Sequence, residues 1–504
     1  MDPTLIKTHL LKNPVVQILV LGVLVFLFRF ASIVILRGGS CDGPGDFCFF
    51  SAPQDPGLRN NIVSIRNSPP SASQRSIAVL DIWTTVGFRM SVSYYSSIFQ
   101  DLISEGSLSL KSNVLCVETP VGSDVVALRE LGVHDVVGLS SKISLKRLIV
   151  SGHAYRQPFD DNIFDFEFSG NAELDRSSDP FNFASEIVRT LKPGGFAVIH
   201  TKTKDLYSFH SILNLFNSCT LISAREIAGP DPSLPSFREI VLKKGIVSVH
   251  FHEEKAKCCV PEYKRESIKN AEPLIEKEPS KPWLTLKRYL KKVRYLPTMF
   301  DLSFKQRYAY VDVGARSYES SIGSWFRKQY PKQNKSFEIY AIEADTAFHE
   351  EYRSKGKVTL LPYAAWVRNE TLFFEINRKP TRKIEEKGRG IGRIQPVQSS
   401  TNFVGNVDKI RGFDFASWLK STFSERDFLV VKMDVEGTEF HLIPRLIESG
   451  AICLIDEMFL ECHYNRWQKC CPGVRSPKYQ RTYAQCFRLF FSLRESGVLV
   501  HQWW

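Results

Sequence analysis

Twice along this chain, roughly 240 residues apart, an apolar stretch of strand length meets a glycine-bearing turn, and that doubling restricts the fold more than any other feature. The first instance is Leu191-Lys192-Pro193-Gly194-Gly195, which runs into the apolar stretch 196–199. The second pairs Val311-Asp312-Val313-Gly314-Ala315 with Val431-Lys432-Met433-Asp434-Val435-Glu436-Gly437. Around the first, apolar runs at 113–117, 136–139, 164–168 and 196–200 alternate with helical patterns. Around the second, strands are expected at 308–313, 337–343, 358–361, 428–434 and 452–460. Strands interleaved with helices form parallel sheets, because each return to the starting edge needs a crossover. The expected class is α/β, with two tandem Rossmann-like sheets; 504 residues, 43% apolar and 24% charged, supply two ordinary cores.

Ahead of the sheets, residues 14–36 (PVVQILVLGVLVFLFRFASIVIL) are almost wholly apolar. At ~1.5 Å per residue they reach across a ~30 Å hydrocarbon layer, which predicts an N-terminal transmembrane helix. Arg29 is the one charge in it, near enough to the far end to snorkel. A cleaved signal peptide is the alternative, but the run exceeds a usual h-region and no small-x-small cleavage site follows. Lys7 and Lys12 precede the span, whereas Arg37 is offset by Asp42 and Asp46, so the positive-inside rule puts 1–13 in the cytosol. The expectation is a single-pass type II membrane protein of the endomembrane system, placed in the Golgi, with the membrane held through that one helix. Asn334-Lys335-Ser336 and Asn369-Glu370-Thr371 would then be open to glycosylation.

Residues 37–76, rich in Gly, Pro, Ser and Asn, read as a stem; 77–245 and 306–504 read as the two α/β domains, and 246–305, with mixed charges and prolines, as a linker. Within the linker, 284–296 (LTLKRYLKKVRYL) sets Leu286, Tyr289, Leu290, Val293 and Leu296 at helical spacing, and such a helix is expected to pack on the second domain. The basic, glycine-dotted segment 377–393 either clamps an acidic substrate or is a surface excursion. A net charge of +12 suits an anionic partner such as an acidic glycan, and no motif of a nucleic-acid reader occurs, so no nucleic acid is expected. The eleven cysteines include no C-x-x-C pair, against a zinc ribbon; the late group Cys462, Cys470, Cys471 and Cys486 could bind metal or form disulfides in an oxidising lumen.

In the first half, Phe159-Asp160-Asp161-Asn162-Ile163-Phe164-Asp165 and Glu186-Ile187-Val188-Arg189-Thr190-Leu191-Lys192-Pro193-Gly194-Gly195 resemble the entry to strand four and the turn before strand five of class I (type 11-like) methyltransferases, over 113–200. The ligand-binding parts depart from that pattern. After Val114-Leu115-Cys116-Val117, where the family has glycines, stand Glu118 and Pro120, and only Gly122 remains; the second strand ends Gly138-Leu139-Ser140-Ser141, with no carboxylate for a ribose. The first half is therefore expected to be a degenerate, structural or partner-binding domain.

In the second half, a strand-to-turn passage at Asp312-Val313-Gly314-Ala315 is followed by a helical pattern from Ser320, whose N-terminus would suit a carboxylate. Glu343 closes the next strand, where a carboxylate can accept two ribose hydroxyls, and Asp345 reads as a helix cap. With Leu361-Pro362-Tyr363-Ala364-Ala365 and Asp434-Val435-Glu436-Gly437-Thr438-Glu439, this order resembles the FkbM-type methyltransferases over 308–464. The resemblance implies S-adenosyl-L-methionine as cofactor, held by Asp312, Gly314, Ala315, Glu343 and Asp434, with Asp434 by the reacting methyl. It also implies O-methylation of a glycan or a small hydroxylated acceptor. Arg316 and Tyr318 replace the Asn and Gly of that pattern, and Tyr318 would crowd the methionine end. His463 is the expected base, oriented by Glu461 or Asp434. No metal is assigned: a divalent ion on Asp434, Glu436 and Glu439 would need acids that a helix turns apart. The opposing reading is a catalytically inactive membrane scaffold.

Overall fold

The computed structural model describes residues 85–141, 148–229, 236–245, 260–376, 392–395, 406–468 and 473–503. The expected transmembrane span, the stem, most of 377–393 and Cys470 and Cys471 lie outside them. Among the described residues, no helix is long and apolar enough to cross a membrane.

The first sheet has seven strands, β1 Val114–Val117, β2 Val136–Ser140, β3 Ile149–Ser151, β4 Phe164–Ser169, β5 Leu191–Thr201, β6 Cys219–Ile227 and β7 Phe237–Lys244, in the order β3-β2-β1-β4-β5-β7-β6. β7 runs antiparallel to both neighbours and the remaining pairs are parallel. The order reverses between β1 and β4, the switch point where doubly wound sheets place a ligand at the carboxyl ends of the strands. β4 and β5 are buried on both faces, which is why they read as continuous apolar runs. The expected turn at Pro193-Gly194-Gly195 is drawn into β5, with Gly194 at φ +81°.

The second sheet has six parallel strands, β8 Tyr308–Val313, β9 Glu338–Ile342, β10 Thr359–Leu361, β15 Phe428–Met433, β16 Glu457–Leu460 and β17 Leu499–Gln502, in the order β10-β9-β8-β15-β16-β17. Its switch point lies between β8 and β15. Between β10 and β15 the chain inserts a four-stranded sheet, β11 Ala364–Trp366, β12 Glu370–Ile376, β13 Gly392–Gln395 and β14 Asn406–Asp414, ordered β11-β14-β12-β13. This insertion was not anticipated. The expected strand 452–460 divides instead into a short 3-10 turn, Ala451–Leu454, and β16, because Gly450 takes a left-handed φ of +74° and closes the preceding helix.

Residues 260–305 are not a linker. Lys264, buried on the helix Glu262–Lys269, donates through Nζ to the carbonyls of Cys453 (2.7 Å) and Ile455 (3.2 Å). Glu272 accepts from His501 Nδ1 at 2.7 Å, and the other ring nitrogen of His501 lies 2.8 Å from Glu457, which also takes the Tyr330 hydroxyl. The basic helix is shorter than its periodicity suggested: it runs Pro282–Tyr289, continues as one 3-10 turn and stops where Val293 turns extended at ψ 129°. The first domain joins this core through Tyr207, which stacks on Phe300 at 5.2 Å and meets Tyr263 at 5.6 Å.

The Glu272–His501–Glu457 chain is almost fully buried. Burial alone would lower the His501 pKa, but the two carboxylates raise it from 6.5 to about 9, and Glu272, despite burial, is held below 4.5 by His501. The His501 contribution to stability is complete below pH 6.5 and is lost as the pH rises through 9, whereas the Glu272 contribution is lost on acidification. Glu272→Ala takes one of its two carboxylates from His501 and leaves Arg494, 3.6 Å away, without its anionic partner, and is expected to cost about 3–5 kcal/mol in urea unfolding at pH 6.5.

Cys462 and Cys486 form a disulfide, and Cys453 is also disulfide-bonded, so the described members of the late group are cross-linked. The Cys462–Cys486 bond closes a loop across 24 positions, so Cys486→Ser should lower the unfolding free energy by about 3 kcal/mol, read as a downward thermal shift that is at least matched by dithiothreitol in the parent chain.

Candidate functional site

At the second switch point, β8 and β15 lie side by side in register, with Asp312 opposite Lys432 and Met433 opposite Val313. Side chains in register share a face, and Lys432 Nζ reaches Asp312 at 3.3 Å. Asp312 also accepts from the hydroxyls of Ser321 and Tyr310 and has no exposed surface. Just beyond, the chain turns at Gly314, φ +78°, where a Cβ would stand 2.1 Å from the backbone oxygen of Asp434. Only glycine fits a left-handed residue in that approach.

These turns floor a cleft lined by Gly314, Arg316, Glu343, Phe348, Tyr363 and Asp434, with Phe374 and Ile394 contributed by the inserted sheet. Three of the five residues expected to hold the cofactor therefore meet in one place: Gly314, Glu343 and Asp434. Asp312 and Ala315 do not line it. Asp312 is consumed by Lys432, Ser321 and Tyr310, while the Ala315 carbonyl accepts from Ser320 and Tyr352 and its amide donates to Ile342. Tyr318 is turned away from the cleft, 7% exposed, against Tyr352 and beneath Arg327 and Lys355, so the expected crowding does not occur.

The helix expected from Ser320 is also different. Ser321 is drawn to Asp312, and the amides of Trp325 and Phe326 both donate to its carbonyl, opening a wide π-type turn over Ile322–Phe326 instead of a regular α-helical N-terminus.

Glu343 sits just past β9, 7% exposed, accepting from the amides of Arg316 and Asp345, each at 2.6 Å. Burial pushes its carboxyl up to about 7 against those two bonds, and it retains lone pairs toward the cleft. Asp345 caps the following turn through the Ala347 amide, as its position implied.

Beside Asp434, the segment after β16 brings in Glu461 and His463. His463 Nδ1 lies 3.2 Å from Glu439, whose carboxylate also takes the His463 amide at 2.7 Å. Its Nε2 faces Asp434 at 3.5 Å, Glu436 at 3.7 Å and Glu461 at 3.9 Å. Burial works against the imidazolium, but the Glu439 bond and the surrounding carboxylates prevail and raise the pKa to about 9. Held charged by these carboxylates, the imidazole is less ready to accept a proton in the role of base expected for it. Glu461 is raised to about 7, first by burial and then by Asp434. Glu439 turns back to the Gly437 amide at 2.8 Å and to His463, so it stands behind the cluster; Asp434, Glu436 and His463 are the three whose ligand atoms gather. Sequence reasoning missed Lys432, although a lysine inside a continuously apolar strand was a signal that it had a buried anionic partner.

At the first switch point, among the described residues, the turn after β1 bonds to its own chain. Glu118 adopts φ +55° and accepts from the Ala154 amide, and the Thr119 hydroxyl donates to buried Asp124 while accepting from the Gly122 amide at 3.1 Å. A Cβ on Gly138 of β2 would stand 2.7 Å from the Thr119 methyl, so that side chain occupies the space between strands one and two.

A family model described as a methyltransferase domain matches residues 123–199, and one described as a domain of unknown function, DUF7870, matches 268–372 and 390–504. The former begins after the turn 118–122. No curated protein matches the chain. Among solved structures it is similar to a SAM-dependent methyltransferase from Thermotoga maritima (16% identity, 34% of this chain and 97% of that one, TM-score 0.25). A second is the Burkholderia thailandensis 1,6-didemethyltoxoflavin-N1-methyltransferase bound to 1,6-didemethyltoxoflavin and S-adenosylhomocysteine (14%, 36% and 93%, 0.25). The chain thus carries a class I methyltransferase fold, and S-adenosyl-L-methionine is the cofactor that goes with it.

Because Asp312 is a buried partner of Lys432, Asp312→Ala is expected to act on stability, by about 3–5 kcal/mol in denaturant unfolding, before it acts on any ligand.

Proposed function

We propose that the second sheet is the working methyltransferase domain and that the first is a non-catalytic companion. The observation that carries this is the contrast between the switch points: Gly314, Glu343 and Asp434 leave a cleft, while Thr119, Glu118 and Asp124 close theirs on themselves. The cleft residues suit S-adenosyl-L-methionine: the glycine turn at Gly314 presents its backbone to the cleft with no side chain in the way, and Glu343 stands where a carboxylate takes ribose hydroxyls. The cofactor supplies a methyl made electrophilic by a sulfonium. Asp434 faces the acceptor, and the Asp434–Glu461 pair takes the proton from its hydroxyl.

By the FkbM-type likeness of 308–464, the reaction is O-methylation of a glycan or small hydroxylated metabolite. Membrane anchoring through 14–36 and a Golgi lumenal location complete the reading, supported by the disulfide bonding of Cys453, Cys462 and Cys486, which belongs to an oxidising compartment. Exposed Asn334 would then carry glycan, detectable as a mass shift on endoglycosidase treatment.

Titration calorimetry of S-adenosyl-L-methionine into the full chain tests the assignment. Glu343→Gln should weaken binding about tenfold or more, as expected from losing charge-assisted bonds to two hydroxyls, and Glu118→Ala should leave it unchanged. Since hydroxyl donors favour the ionised carboxylate, affinity should rise about tenfold between pH 6 and pH 8 in the parent chain and lose that dependence in Glu343→Gln. No heat at millimolar ligand would leave the inactive-scaffold reading in its place.

A further inference from the structure

We propose that Asp434, Glu436 and His463 form a divalent transition-metal site at the acceptor end of the cleft; this rests on reading that cleft as the place of methyl transfer.

The three ligand atoms lie within 4.8 Å of one another and come from two adjacent strand ends, the turn after β15 and the segment after β16. The backbone is shaped to gather them: Glu436 is held at φ +52° and Gly437 at +108°, which turns the Glu436 carboxylate back beside Asp434 instead of along the following helix. This reversal was not foreseen from the sequence, where a helical spacing sent the acids apart. His463 is 4% exposed, and its ring is aimed by Glu439, itself fully buried, through Nδ1. A carboxylate behind one ring nitrogen that directs the other is the usual support of a metal-bound histidine.

The spacing also suits an ion. Nε2 stands 3.5 Å from Asp434 and 3.7 Å from Glu436, long for hydrogen bonds. Two ligands ~2.1 Å from a common ion at a tetrahedral angle stand about 3.4 Å apart, whereas octahedral neighbours stand about 3.0 Å apart. Charge points the same way. Asp312, Asp434, Glu436, Glu439 and Glu461 are five carboxylates, and their lysine and arginine partners are Lys432, Lys478 and Arg466. The excess over those partners is two negative charges, one of them met by the His463 imidazolium; a divalent cation that displaces the imidazole proton meets both. A mixed imidazole and carboxylate set favours Mn2+ or Zn2+ over Mg2+. Asp434 also lines the cleft, so an ion there would border the acceptor hydroxyl and favour its deprotonation.

Glu436 is presently engaged by the Lys478 ammonium at 3.0 Å and by the Tyr479 hydroxyl. Lys478 is 35% exposed and competes with the ion for this carboxylate. Its removal should therefore improve the site.

The test is calorimetric titration of Mn2+, Zn2+ and Mg2+ into the full chain without cofactor, with Mn2+ binding read independently by electron paramagnetic resonance. One equivalent of Mn2+ or Zn2+ is expected, with Mg2+ at least tenfold weaker. Asp434→Asn and His463→Gln should each weaken Mn2+ binding more than tenfold, Glu439→Gln about 10–100-fold through loss of ring orientation, and Lys478→Met should tighten it several-fold. Circular dichroism and thermal unfolding establish that each variant is folded. Absence of Mn2+ and Zn2+ binding by both the parent and Lys478→Met overturns the proposal, as does binding unaltered in folded Asp434→Asn. Mg2+ bound as tightly as Mn2+ overturns the assigned ion class. Glu343→Gln separates the two readings: metal binding that survives there, with cofactor binding lost, is expected. Metal binding in a parent chain that takes no S-adenosyl-L-methionine would sink the methyltransferase assignment and leave the ion site standing.

Discussion

The ion pair between Asp312 and Lys432 joins the two central strands of the second sheet where they end, and the geometry of the whole site depends on that junction. Their register places the pair on one buried face, and Ser321 and Tyr310 complete the coordination of the carboxylate. With the strand ends fixed, the Gly314 turn passes against the Asp434 carbonyl at a distance that no side chain could occupy. Glu343 is then set by the Arg316 amide on one side of the cleft, and Asp434 by the end of β15 on the other. The acid that the sequence pattern suggested as a ligand contact is instead the fastening beneath the ligand floor.

The two sheets show how one framework can be retained after its pocket is lost. In the first, the β4–β5 pairing and the helix Pro180–Thr190 persist, with Asp179 capping that helix through the Asn182 amide. The departures lie in the turn after β1, where side chains satisfy the amides of the turn, and at the end of β2, where Ser140 and Ser141 stand in place of a carboxylate. A fold needs its buried strands, while a cofactor needs unoccupied backbone at one edge, so the two requirements can separate. The first domain then contributes through packing: Tyr207 is inserted among Phe300, Tyr263 and Lys305.

Strands and their order along the chain were legible because buried parallel strands are continuous apolar runs. Helical detail was less so. The spacing of Leu290, Val293 and Leu296 suggested one helix, but Val293 leaves the helical region, and the segment ends by packing Leu296 into the second core. Gly314, Glu343 and Asp434 could be found because strand-end chemistry is local. What escaped was chemistry made by distant residues: the Glu272–His501 contact, the inserted sheet at the cleft, and the carboxylates that keep His463 charged. A histidine beside a strand end reads as a base until its neighbours are counted, and three of those four carboxylates come from the stretch after β15.

The disulfide at Cys462 has a consequence for when the site exists at all. Cys462 immediately precedes His463 and ties that backbone to the helix Tyr483–Glu495, which bears Cys486. In a reducing environment the histidine would lose that tie, while its amide stays on the Glu439 carboxylate and the flanking Glu461 and Asn465 amides stay on the Met433 and Arg481 carbonyls. Oxidation fastens the segment that carries His463 to that helix across 24 positions of chain, so the thiol state of the surroundings bears on how firmly the histidine is held beside Asp434.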